Sequence, residues 1–316
     1  MPDTSTITLT LAHSPDSDDL VMWWPLTGIT NPDGSPIDGP LGKPQLDTGP
    51  FRFNLVARDV EELNQLAIEP GTSAPYDITA ISCAAYPAIA DRYLITRSGG
   101  SFGENYGPKV VTKSDSPLNT LDDLSADTHI AIPGVNTSAF LTLNLIAPRF
   151  KYTPMLFSEI PDAVAKGEAD AGLLIHEAQL TFAESGLKQI GDIGQWWHQN
   201  TKDDKGHKPL PLGLNVIARS LDTRFGPGTC QQLADLLTAS IETAVREKEA
   251  SRLHLQINKG DRTEWDDPKL VDKYLSMYVS DLTLDMGPAG REAIELLLTR
   301  GAAAGLCKSL DTIQII

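Results

Sequence analysis

Along the chain, short apolar runs alternate with polar junctions and amphipathic segments. Ile7 to Leu11 alternate Thr with apolar residues, the period of a half-buried strand. The polar junction His13-Ser14-Pro15-Asp16-Ser17-Asp18-Asp19 follows, and Leu20 to Trp24 read as a short helix that Asp16 or Ser17 caps and Pro25 ends. Residues 31–50 are rich in Pro, Gly and Asp, which predicts an exposed hairpin or loop. Phe51 to Ala57 read as a strand. Val60 to Ile68 read as a helix with Val60, Leu63, Leu66 and Ala67 on one face and Gly71 past its end. Asp77 to Ser82 form the next strand and Cys83 to Ala90 the next helix. Tyr93 to Thr96 lead into a Gly-rich loop, Ser98 to Gly103, and Pro108 to Thr112 is a strand crossing into a second lobe.

The same alternation continues. Leu118 to Leu124 read as a short helix, His129 to Pro133 as a strand and Ala139 to Ile146 as a helix. Phe157 belongs to a further strand, and Ile160 to Gly167 to a helix. Lys188 to Ile193 and Leu210 to Ala218 read as strands, the latter returning to the first lobe. A long helix is expected from Cys230 to about Asn258, and two more near 267–280 and 287–301. Strand–helix order with polar strand ends predicts an α/β protein with parallel sheets. Two crossings predict two lobes, residues 1–111 with 213–316 and residues 112–212, enclosing a ligand cleft.

One stretch stands out. Ala171 to Ile175 is a buried-strand run that His176-Glu177 breaks abruptly, and a helix-like segment then runs to about Gly186. His176 therefore sits at the carboxyl end of a strand, where open α/β sheets bind ligands. A histidine there is either a base that titrates near neutrality or a satisfied structural residue. Glu177 either orients the imidazole or is a helix N-terminal carboxylate. Gly134-Val135-Asn136-Thr137-Ser138 precedes a helix and resembles an anion cradle, with Asn136 or Thr137 as cap and free N–H groups facing a carboxylate. Ser14, Asp16, Asp18 and Asp19 read equally as binders of substrate hydroxyls or as a capping cluster. Trp196-Trp197 reads as packing, Ser98-Gly99-Gly100 as a tight connection and Cys83 as buried.

Composition narrows the class. The formal net charge of −16 over 316 residues excludes a nucleic-acid binder or an anionic-membrane binder, both of which need clustered Lys and Arg. Three scattered cysteines, Cys83, Cys230 and Cys307, form no disulfide framework or zinc motif, and no metal site is expected. The start, Met1 to Thr6, has neither a basic nor an apolar signal region, and no run reaches the roughly 20 apolar residues of a membrane span. A cytoplasmic protein with a small-molecule partner is the expectation. Nothing in the pattern specifies an oligomeric state.

Leu118-Asn119-Thr120-Leu121-Asp122-Asp123-Leu124 and Gly167-Glu168-Ala169-Asp170-Ala171-Gly172 are similar to stretches of the periplasmic-binding-protein-like type 2 fold. Other stretches are more specific: Arg92-Tyr93, Arg97-Ser98-Gly99-Gly100, Tyr106-Gly107-Pro108, Pro133-Gly134 with Thr137-Ser138-Ala139-Phe140, Ile175-His176-Glu177, Gly194-Gln195-Trp196-Trp197 and Leu210-Pro211-Leu212-Gly213. In this order, from about Thr6 to Leu306, the chain resembles the 1,4-dihydroxy-6-naphthoate synthase family of the futalosine route to menaquinone. The resemblance implies a lyase that cleaves cyclic dehypoxanthinyl futalosine to 1,4-dihydroxy-6-naphthoate and dihydroxyacetone. It implies His176 as base, Ala80-Ile81-Ser82 as a substrate-binding strand end and Thr137-Ser138-Ala139 as a binding loop. Aromatisation drives such a reaction, so no cofactor is expected. The family's first loop usually reads Ser-Pro-Cys-Pro-Asn-Asp, whereas here it is Ser14-Pro15-Asp16-Ser17-Asp18-Asp19, and residues 31–50 look inserted. The rival readings are a non-catalytic solute-binding protein for a small carboxylate, disfavoured by a base at the cleft, and chorismate dehydratase of the same pathway, disfavoured by Ile175-His176-Glu177.

Overall fold

A computed structural model describes residues 6–69, 74–147, 149–202, 204 and 206–316, so Gly71 and the start of the chain, 1–5, lie outside the described residues. Among the described residues, eleven strands form two sheets. β1 (Ile7–His13), β2 (Phe51–Ala57), β3 (Ile78–Ser82), β4 (Tyr93–Ile95), β5 (Ser101–Gly103) and β11 (Leu210–Ala218) make the first sheet, in the order β2-β1-β3-β11-β4, with β5 also on β11. β6 (Lys109–Lys113), β7 (His129–Ile132), β8 (Lys151–Pro154), β9 (Ala171–Leu174) and β10 (Leu187–Asp192) make the second, in the order β10-β6-β9-β7-β8. The chain enters the second sheet after β5 and leaves it after β10.

The alternating Thr and apolar residues of β1 place Leu9 and Leu11 in the core, and β1 pairs in parallel with β2, Ile7 opposite Phe51, and with β3, Leu11 opposite Ile78. The sheets are mixed, not wholly parallel. β11 runs antiparallel to β3, β4 and β5, and β6 runs antiparallel to β9 and β10. The reversal comes from the crossings: a strand that returns from the other sheet enters its own from the opposite end.

Other expectations need correction. Pro25 lies inside the helix Ser17–Thr27, in its last turn, where the missing N–H removes one bond and buried Trp23, Trp24 and Leu26 hold the remainder. Phe157 opens a short 3-10 turn after β8 instead of belonging to a strand. Cys83–Ala88 and Leu121–Asp123 are also 3-10 segments. The stretch from Cys230 to Asn258 is two helices, Thr229–Arg246 and Lys248–Asn258, broken at Glu247. The Ser251 hydroxyl donates to the Ala244 carbonyl at 2.8 Å across the break. Both helices keep one apolar face in phase, so the periodicity does not register the break.

The crossings explain two of the motif stretches. A Cβ on Gly194 would stand 1.9 Å from the Tyr106 carbonyl oxygen, and one on Gly107 would stand 2.9 Å from the Gly194 Cα. Backbone there meets backbone, and Ile193 N–H bonds Pro108 O at 2.9 Å. Gly194→Ala should lower stability by about 1–3 kcal/mol through overpacking, read as a lower urea midpoint. An unchanged midpoint would mean that this contact does not hold the crossings together.

Candidate active site

The carboxyl ends of β1, β3 and β9 converge on a cavity of about 90 Å³. Ser14, Asp16, Asp18 and Asp19 line it from the loop and helix after β1, Ala80, Ile81 and Ser82 from the end of β3, and Ile175, His176 and Gln179 from the segment after β9. Thr137, Ser138 and Ala139 line it from the start of the helix Ser138–Ile146, and Tyr274 and Tyr278 from the helix Pro268–Tyr278.

His176 stands two residues past the end of β9 with φ +54°, in the left-handed region that non-glycine residues seldom occupy. That turn breaks strand alternation at residue 176. The imidazole, 12% exposed, has Nδ1 on Asp16 Oδ2, while Nε2 has no hydrogen-bond partner. Phe157 packs edge-on against the ring, centroids 4.5 Å apart. Burial works against the imidazolium, but the Asp16 carboxylate outweighs it, with help from Glu177 and Asp18, and the histidine is pushed up to about 9. Asp16 is held below its usual range because His176 outweighs its own burial.

Glu177 does not orient the imidazole. Its Oε1 accepts from Ser17 N at 3.1 Å, Ser17 Oγ at 2.7 Å and Trp265 Nε1 at 3.1 Å, all buried. Asp16, at the N-cap position of the helix Ser17–Thr27, makes no side-chain cap bond. The two junctions therefore exchange partners: Asp16 turns to His176, and Glu177 satisfies the first helical N–H behind Asp16.

The other acids in the loop after β1 are strained electrostatically. Burial and the neighbouring Asp16 push Asp19 up to about 8 and raise Asp18 well above its usual range. Asp19 Oδ2 accepts the Ser14 N–H at 2.7 Å, while Asp18 Oδ1 has no partner.

At the other wall, Thr137 caps its helix, accepting from Phe140 N at 3.1 Å and donating to Gly134 O at 2.9 Å. The Ser138 hydroxyl donates to Leu212 O at 2.7 Å, so its remaining contribution to a ligand is its backbone N–H, which with that of Ala139 has no intrahelical partner. Ser82 Oγ accepts from Asn64 Nδ2 at 3.0 Å, leaving its proton to donate. Asn136 departs from expectation: it does not line the cavity. Its Nδ2 donates to Glu61 Oε1 at 2.8 Å and its backbone N–H reaches the same carboxylate, because Gly134 leaves room for Glu61, whose carboxyl carbon is 2.3 Å from where a Cβ would stand.

Sequence reasoning did not find Gln179, Tyr274 or Tyr278. Tyr278 Oη donates to Gln179 Oε1 at 2.8 Å, which ties the far C-terminal helix to the His176 segment. The signal for the tyrosines was their i, i+4 spacing on an amphipathic helix, and that serves packing as readily as a site. Trp197 is fully buried, its indole N–H on Pro209 O at 3.0 Å, as the packing reading required.

Two sheets joined by two crossings, with strand ends closing on a cavity between them, define a two-lobed protein of the periplasmic-binding-protein-like fold. A crystal structure of an Archaeoglobus fulgidus protein superposes with a TM-score of 0.74 at 33% identity, covering 97% of this chain and 100% of that one. The alkanesulfonate-binding protein of Xanthomonas axonopodis pv. citri, bound to MOPS, superposes with a TM-score of 0.63 at 14% identity, covering 96% of each chain, and bears on the fold alone. A family profile described as menaquinone biosynthesis matches residues 9–303. The 1,4-dihydroxy-6-naphthoate synthase of Thermus thermophilus is 32% identical over 81% of this chain and 86% of its own length. That of Streptomyces coelicolor is 34% identical over 74% and 78%. The chain belongs to the 1,4-dihydroxy-6-naphthoate synthase family and is an enzyme of menaquinone biosynthesis. Among the described residues no helix is long and apolar enough to cross a membrane.

Two predictions concern this site. Glu177→Ala strands the Ser17 and Trp265 N–H groups in a buried place, a cost of about 1–3 kcal/mol for each group left unpaired; urea unfolding followed by tryptophan fluorescence should show it, and wild-type stability would remove Glu177 from this role. The second concerns pH. A buried acid raised to about 8 favours the fold while protonated, and that contribution is lost as pH climbs from its ordinary range through 8. A histidine raised to about 9 loses its contribution between its ordinary 6.5 and 9. The melting temperature should therefore fall from pH 6.5 to pH 9, and less steeply in Asp19→Asn; a flat profile in the wild type would contradict the assignment.

Proposed function

We propose that the protein is a carbon–carbon lyase of the futalosine route, converting cyclic dehypoxanthinyl futalosine to 1,4-dihydroxy-6-naphthoate and dihydroxyacetone in the cytoplasm, with His176 as general base. The observation that carries this reading is the unpartnered Nε2 of His176, on a residue that lines the same cavity as the start of the helix Ser138–Ile146. A base at one wall and N–H donors at the other suit a substrate with an acidic carbon-bound proton and a carboxylate. Membership of the synthase family supports the same reaction.

In this reading His176 Nε2 removes the carbon-bound proton, the carbon–carbon bond breaks as the ring becomes aromatic, and the proton returns to the departing three-carbon fragment, which leaves as dihydroxyacetone. The N–H groups of Ser138 and Ala139, with the Ser82 hydroxyl, hold the substrate carboxylate and oxygens that gain charge, and Thr137 caps the helix start that presents them. Ser14, Ala80 and Ile81 complete the walls. The lobes, 1–111 with 213–316 and 112–212, part to admit substrate, because about 90 Å³ is well below the roughly 300 Å³ at which small-molecule pockets begin. Their closure excludes water from the reacting carbon.

The test is incubation of the purified protein with cyclic dehypoxanthinyl futalosine and chromatography for the naphthoate. Product is expected from the wild type, and a loss of at least about 100-fold in His176→Asn, in line with the contribution of a general base, while calorimetry still detects substrate binding. Binding without conversion by the wild type would favour a solute-binding role, and near-normal turnover in His176→Asn would remove His176 as base.

A further inference from the structure

Asp16 and His176 lie 160 positions apart and belong to loops of different sheets, yet their side chains meet in a buried contact. Asp16 is 5% exposed and does not cap the helix it precedes. We infer that Asp16 is a positioning residue for the reaction: from the loop after β1 it holds the Nδ1–H of His176, fixing the tautomer whose unpartnered Nε2 is the proton acceptor, so that the acceptor is assembled across the cleft. The inference rests on His176 being the base.

Two observations converge on this assignment. The contact takes one imidazole nitrogen and leaves the other free, which is how a carboxylate orients a histidine for proton transfer. The acid next door in sequence is unavailable, since Glu177 Oε1 already accepts from Ser17 and Trp265.

Other titratable groups face the pair. Asp18 and Asp19 approach from the helix Ser17–Thr27, Asp59 from the residue before the helix Val60–Ile68, Glu177 from its own segment, Tyr274 and Tyr278 from the helix Pro268–Tyr278, and His13 from the end of β1. Of these, Asp16 makes the direct contact and dominates what raises His176. Its carboxylate also stabilises the imidazolium that forms when the substrate proton arrives.

The test combines NMR titration of the His176 imidazole in the full-length protein, assigned by its loss in His176→Gln, with pH profiles of turnover. In the wild type the imidazole should titrate near 9, and the ascending limb of kcat/KM should lie on the alkaline side of neutrality. Asp16→Asn should move the midpoint and the limb down by at least about one pH unit and lower the plateau of kcat by about 10- to 100-fold, with a smaller change in KM. Asp16→Glu should restore part of the limb. A structural role alone would lower the melting temperature and leave the midpoint in place. A wild-type midpoint near 6.5, or an unmoved midpoint in folded Asp16→Asn, overturns the inference; if Asp16→Asn does not fold, the wild-type titration and Asp16→Glu decide it. The titration needs no substrate, so failure of the pair is distinguished from failure of His176 as base.

Discussion

The structure turns on a reciprocal exchange between two strand ends. One loop gives a carboxylate to the other loop's histidine, and receives a carboxylate on its own helix N-terminus. Neither junction is complete alone. Without its partner, Ser17 keeps an unsatisfied first-turn N–H and His176 an unpaired ring nitrogen, both in a place water reaches poorly. Burying charge is costly unless it is paired and hydrogen-bonded, and here the pairs run between the two sheets. The arrangement thus ties the two sheets to each other at the site.

The surroundings of the exchange set its chemistry. Burial, with the neighbouring Asp16, raises Asp18 and Asp19 above their usual range, while Asp16 beside the imidazole is held below its own. Glu61 performs a parallel function at the rim, reaching from the helix Val60–Ile68 to the Asn136 loop beside Gly134. The far C-terminal helices complete the enclosure through Trp265 on Glu177 and Tyr278 on Gln179. A tail that read as generic helices is therefore structural support for the cleft.

Much of the fold was legible because apolar pattern reports burial: β1 alternates, while β9 and β11 are apolar runs buried along nearly their whole length. His176 was legible because it breaks an apolar run at a strand end. Its partner was not: Asp16 is remote in sequence, and the left-handed turn at His176 cancels the alternation used to place Glu177. Asn136 misled for the same reason, since its neighbour Glu61 comes from another element and claims both of its donors. Pro25 and Glu247 show the limit of local rules. Packing carried one helix through a proline, and a single non-helical residue split another without disturbing its apolar phase. Local pattern assigns elements, whereas the pairing of loops across a cleft is a tertiary property.

The measurement that bears most directly on the account is a crystal structure of His176→Asn with cyclic dehypoxanthinyl futalosine bound. The account predicts closed lobes, the substrate carboxylate on the N–H groups of Ser138 and Ala139, and the carbon to be deprotonated beside residue 176. A substrate held with its carboxylate towards Asp16, or bound outside this cleft, would contradict it.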